Sequence, residues 1–154
     1  MIAPESETGT YGWRERHVGR LLLELLRDFQ FRSIEQLRVE GYADITLAYV
    51  NFIASVQVSG TRLTDIAQTL DVSKQAAGQM AKELVNKGYL SRQPDPEDGR
   101  ATLLTFTANG ERLLSDAKKG VEDVEMLYER LVGEESFESL KGLLLELLTK
   151  TRSA

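Results

Sequence analysis

The chain has 154 residues, 42% of them hydrophobic and 28% charged, with a net charge of −5. That length suits one domain, and that apolar share supports a core without metal or disulfide help. The absence of cysteine excludes thiol-based redox control and is compatible with a reducing cytoplasm.

The opening Met1-Ile2-Ala3-Pro4-Glu5-Ser6-Glu7 lacks the basic start and apolar centre of a signal peptide, and no apolar run approaches membrane-spanning length. Residues 1–12 are therefore expected to be a flexible lead into a cytoplasmic protein. From about Trp13 to Glu40, Val18, Leu22, Leu25, Phe29 and Leu37 mark one helical stripe, which Leu21 and Leu26 widen beyond what a solvated helix carries. Such a helix would span roughly 40 Å. Tyr42 to Val56 reads as a second helix, capped by Asp44, with Ile45, Tyr49, Val50, Phe52 and Ile53 as its apolar residues.

Between Thr61 and Leu70 the residues Leu63, Ile66, Ala67 and Leu70 recur at the spacing of a helix face turned to a core, leaving Arg62, Asp65 and Gln68 to water. Asp71-Val72-Ser73 breaks this helix. Asp tolerates the left-handed turn conformation better than most residues, and the Ser73 hydroxyl is a good N-cap for a helix starting at Lys74. In that helix Ala77, Met80, Ala81, Leu84 and Val85 point inward, which puts Lys74, Gln75, Gly78, Gln79 and Lys82 on one outward face nearly free of carboxylate. Lysine supplies phosphate charge and glutamine can pair with an adenine edge, so this face suits a helix laid in a major groove. An ordinary solvated face of Lys and Gln would read the same way. Gly78 costs about 1 kcal/mol against alanine in a helix, which fits either a close backbone approach or a tolerated surface glycine.

Lys87-Gly88 ends the helix with a cation and a residue free to turn left-handed. Tyr89 to Gln93 reads as a strand, Pro94-Asp95-Pro96-Glu97-Asp98-Gly99 as a turn, and Ala101 to Phe106 as the returning strand. Arg92 and Arg100 flank the tip, where both guanidinium groups could meet a sugar-phosphate edge or minor groove. The acidic tip reads as a solvated turn. A calcium loop is the weaker alternative, because Pro96 stiffens it, the acidic pattern is broken and no glutamate closes it. Two helices, a tight turn and a charged hairpin form a winged helix-turn-helix, the architecture of a DNA reader.

After Thr107, read as a cap, Leu113, Ala117, Val121, Val124, Leu127 and Leu131 mark a long helix ending near Gly133. A last one follows, with Phe137, Leu140, Leu144, Leu147 and Leu148. The first and the last two helices carry more leucine than a winged helix of about sixty residues needs. They pack either against their copies in a second subunit or as an intramolecular bundle. The overall acidity opposes DNA binding, but from Ser73 to Arg100 five basic residues face four acidic ones, so the acidity lies in the flanks. Nothing supports catalysis or a bound cofactor or metal: His17 is the sole histidine, and no nucleophile motif, phosphate loop or His/Cys cluster is present. His17 reads as a surface or capping residue.

The ordered set Val72-Ser73-Lys74-Gln75-Ala76-Ala77-Gly78-Gln79, Leu84-x-x-Lys87-Gly88-Tyr89-Leu90, Pro94-x-Pro96-x-Asp98-Gly99-Arg100-Ala101 and Thr107-x-x-Gly110 resembles the MarR family of transcriptional regulators. These motifs cover about a third of the chain, and the flanking helices fit the same architecture over nearly all of it. The resemblance implies a mainly α fold with a small β-hairpin wing. Residues 42–106 would form the DNA-binding region, and 13–40 and 107–152 the dimerisation helices. It further implies an obligate homodimer on a pseudo-palindromic operator of double-stranded DNA, commonly a repressor released by a small aromatic or phenolic effector. Carried over by position, Asp98 would hold Arg100 by an ion pair so that Arg100 enters the minor groove, while Ser73, Lys74, Gln75 and Gln79 would meet the major groove and its phosphates. Lys82 and Arg92 add cationic contacts on the same side. Asp71 departs from the glycine common in the family's turn, and Gln79 stands where many members carry a base. An effector pocket would fall at the junction of base and reading head, with Tyr11, Trp13, His17, Tyr49 and Phe52 as lining groups. The reading from another class is a winged-helix protein-interaction module without DNA binding.

Overall fold

The computed structural model describes residues 17–98 and 101–153. Six helices and three strands are present among them: α1 (Val18–Val39), α2 (Leu47–Ala54), β1 (Thr61–Arg62), α3 (Leu63–Thr69), α4 (Lys74–Asn86), β2 (Leu90–Pro94), β3 (Thr102–Phe106), α5 (Ala108–Val132) and α6 (Glu134–Arg152). The mainly α architecture with a small antiparallel sheet is the expected one.

Local chemistry sets most of the boundaries. Ser73 caps α4 by accepting from the Ala76 amide at 3.1 Å, and Thr107 caps α5 by accepting from the Gly110 amide at 3.1 Å, as the sequence indicates. Asp71 turns the chain at a φ of 52°, so an aspartate fills the left-handed position between α3 and α4. His17 caps α1, its Nδ1 accepting from the Arg20 amide at 3.2 Å. That makes α1 a 22-residue helix from Val18 to Val39, about 33 Å long, with His17 and Glu40 as its caps; residues 13–16 of the expected Trp13–Glu40 helix lie outside the described residues.

Two other expectations are corrected. Thr46, not Asp44, caps α2, which starts at Leu47 rather than near Tyr42; the Asp44 carboxylate instead pairs with Lys87. Thr61 and Arg62 are strand, not helix. They pair with Leu104 and Leu103, so β3 sits between β1 and β2 in a three-stranded sheet. A two-residue strand exists only through its partner and leaves no periodic signal of its own.

The core lies where α2, α3 and α4 meet β3 and the ends of the long helices. Phe52, Ile66, Ala77, Ala81, Leu84, Leu90, Leu104 and Leu113 are at most 1% exposed. Helices α1 and α5 run antiparallel behind this head. Tyr128 donates to Asp28 at 2.8 Å and Tyr42 to Asp116 at 2.6 Å. Burial, then the acceptor, pushes each phenol up to about 12, so both remain protonated donors at neutral pH.

Candidate nucleic-acid interface

Helix α4 presents the face that the sequence singled out. Ala77, Ala81 and Leu84 are buried against the core, while Ser73, Lys74, Gln75, Gln79 and Lys82 are exposed. The buried side fixes the helix from behind, so the exposed side chains share one orientation. Lys74, Lys82 and Arg92 make no ion pair with any described residue, which leaves their charge available to a polyanion. The Ser73 oxygen accepts from its cap partner, and its O–H can still donate outward. An added Cβ at Gly78 would meet only Leu63, at 3.7 Å. No packing among the described residues therefore demands the glycine.

Beside α4 stands the β2–β3 hairpin. Leu90 opposes Phe106, Arg92 opposes Leu104 and Pro94 opposes Thr102, and Arg92 is exposed. The tip is not simply a solvated acidic turn. Asp95 is only 5% exposed, taking the Arg62 Nε at 2.6 Å and the Glu97 amide at 2.8 Å. The hairpin end is thereby latched to β1, and Arg62 does not simply face water. The Glu97 amide first, and Arg62 next, hold the Asp95 carboxyl below the usual carboxylate range. Such a latch is complete at neutral and mildly acidic pH and is lost only as pH falls through that lowered pKa. With both Asp95 oxygens committed to an amide and a guanidinium, a calcium loop has lost its first ligand. Asp98 is exposed, and its carbonyl accepts from Ala101 at 2.8 Å. Gly99 and Arg100 lie outside the described residues, and with them the expected Asp98–Arg100 pair.

Of the five residues named for an effector pocket, Tyr11 and Trp13 also lie outside the described residues. The other three have separate tasks. Phe52 is fully buried in the core, His17 caps α1, and Tyr49 donates its hydroxyl to Glu83 of α4. A cavity of about 740 Å³ opens nearby, between α2, β3 and α5. Val50, Ile53, Ala54, Phe106, Leu114 and Val121 are among its walls, and Tyr49 and Phe52 are not. The sequence could have found the pairing of Gln79 with Glu83, since they stand four apart on one helix. The Arg62–Asp95 latch, 33 residues apart, had no such signal.

Comparison with known proteins agrees with this geometry. Residues 43–101 match the MarR family. An uncharacterised HTH-type transcriptional regulator of Bacillus subtilis strain 168, YdgJ, is 28% identical over 90 residues, covering 58% of this chain and 52% of its own. The chain thus matches about half the length of that relative. Among solved structures, the transcriptional regulator Tm0710 of Thermotoga maritima superposes with a TM-score of 0.66 at 27% identity, covering 88% of this chain and 96% of that one. A MarR variant from E. coli in complex with operator DNA gives a TM-score of 0.67 at 24% identity, covering 85% and 93%.

Proposed function

We propose that this chain, whose residues 43–101 match the MarR family and whose fold superposes on that of a solved transcriptional regulator, regulates transcription as a homodimer bound to a pseudo-palindromic operator. The observation that carries this reading is the exposed face of α4, where Lys74, Gln75, Gln79 and Lys82 are held from behind by buried Ala77, Ala81 and Leu84. Lysines fix register on phosphates, amides read base edges, and the wing adds Arg92 and Arg100 at the flanking backbone or minor groove.

The dimer is supported by apolar surface that a lone chain leaves wet. Leu21, Leu22, Leu23, Leu25 and Leu26 on α1 are 40–52% exposed, and Leu145, Leu147 and Leu148 on α6 are 55–67% exposed. Contiguous patches of this kind mark association surfaces. Two heads about 34 Å apart would meet successive major grooves on one face of the duplex. Repression follows if the bound dimer excludes polymerase from a promoter. Relief by a small apolar or aromatic ligand is supported by the cavity between α2 and α5, which touches the reading head and the base together. A ligand there releases DNA only by binding one head spacing better than the other.

Selection of bound fragments from random duplex tests the reading, followed by titration over salt. Counterion release predicts that log affinity falls with log salt at about 0.9 per phosphate neutralised. A protein-docking module would instead show no duplex binding even in dilute buffer. Arg100→Ala is expected to weaken operator binding by about 1–3 kcal/mol with the dimer intact in light scattering. An unchanged operator affinity would remove Arg100 from the interface.

A further inference from the structure

Glu83 sits one turn beyond Gln79 on α4, and both its oxygens are engaged. Gln79 donates Nε2–H to Oε1 at 2.6 Å, and the Tyr49 hydroxyl of α2 donates to Oε2. The identity of the Gln79 atom at this contact follows from chemistry. An ionised carboxylate only accepts, so the amide must turn its nitrogen, not its oxygen, toward Glu83. Tyr49 first, and Gln79 next, hold the Glu83 carboxyl below its ordinary range, and the same hydrogen bond is the main reason the Tyr49 phenol is raised. The carboxylate and the phenol therefore keep these roles at neutral pH.

We propose that Glu83 is a positioning residue that makes Gln79 selective for adenine over guanine in the major groove. This deepens the DNA-binding reading and rests on it. A free glutamine can serve either purine. It meets adenine with its carbonyl and one N–H, matching the N6 donor and N7 acceptor, or meets guanine end-on with both N–H groups, matching the N7 and O6 acceptors. Glu83 consumes one of those two N–H groups. The carbonyl and a single N–H remain, which serves adenine when the N–H given to Glu83 is the one trans to the carbonyl, whereas guanine is left with one acceptor unmet or facing the glutamine oxygen. Tyr49 fixes the carboxylate from α2, so the restriction is imposed by the packing of two helices and not by α4 alone.

The test begins with wild-type protein and random duplex, which yields the preferred sequence. Gln79→Ala then identifies the base pair read at this position as the one where preference disappears. At that pair wild type should favour A·T over G·C by about 5- to 100-fold, and Glu83→Met should reduce the preference to about twofold. Removing a carboxylate near DNA also raises affinity for every duplex, so the readout is the ratio between the two duplexes, which a purely electrostatic or structural role leaves unchanged. Tyr49→Phe, which frees one end of the clamp, should give an intermediate ratio and serves if Glu83→Met folds poorly. In a Gln79→Ala background neither change should alter the ratio. Duplex selection that returns no common sequence overturns the DNA-binding reading itself. A wild-type selection with an unchanged ratio in both Glu83→Met and Tyr49→Phe overturns the positioning role alone.

Discussion

Gly110→Ala is expected to destabilise the protein by about 3 kcal/mol, read as a drop in the denaturant midpoint with an unchanged slope. Gly110 is buried in the first turn of α5, and a Cβ there would run into the Tyr89 carbonyl, with the Phe106 ring 3.1 Å away on another side. The carbonyl cannot move aside cheaply. It already accepts from the Thr107 amide at 3.1 Å, next to the Thr107 hydroxyl, which donates to the Gly88 carbonyl at 2.5 Å and caps α5 by accepting from the Gly110 amide. Shifting it would break the helix cap or pull Tyr89 away from the start of β2. Gly88→Ala offers the contrast. Its φ of 76° makes alanine strained, but its added Cβ would meet only the Asn109 side chain at 3.7 Å, so a smaller loss of about 1–2 kcal/mol is expected. Equal losses from the two substitutions would mean that the close packing at Gly110 is not what requires glycine.

The same contact explains why Thr107 and Gly110 stand three apart in a recognisable pattern: one caps the long helix, and the other lets it approach the wing. The first turn of α5 is thereby packed directly on the start of β2 and the end of β3. What the sequence made legible was this kind of feature, where cause and effect lie within one or two turns. The stripe Ala77, Ala81 and Leu84, the caps at Ser73 and Thr107, and the turn at Asp71 are all local. Asp44 was misread for the opposite reason. It sits where a cap residue is plausible, but Lys87 takes its carboxylate and Thr46 takes the cap. Likewise, Arg62 looks like a solvated helix residue until β3 makes it strand and Asp95 takes its guanidinium. Partners brought together by tertiary packing leave no period in the sequence, and aromatic residues such as Phe52 do not announce whether they line a pocket or fill a core.

The leucines of α1 set up the other large effect. If the proposed homodimer pairs through α1, Leu22→Glu combined with Leu26→Glu is expected to leave the protein monomeric and to lower operator affinity by about 10²- to 10⁴-fold. The two residues stand one turn apart, 41% and 50% exposed. With Leu25, Phe29, Leu140 and Leu144 they border an apolar hollow of about 360 Å³ between α1, α5 and α6. In a lone chain glutamates there would be solvated at little cost, so α2, α3, α4 and the wing should keep their fold and their circular dichroism. Against a second copy the same carboxylates would be driven into leucine, where an unpaired charge is strongly disfavoured. Each separated head would still hold its lysines toward phosphate and bind duplex weakly, with fewer phosphates neutralised and so a shallower salt dependence. What it would lose is the high effective concentration of the second head once the first is bound. Sedimentation and operator titration on one sample should therefore change together. A variant that remains dimeric with full operator affinity would place the subunit interface elsewhere than on α1.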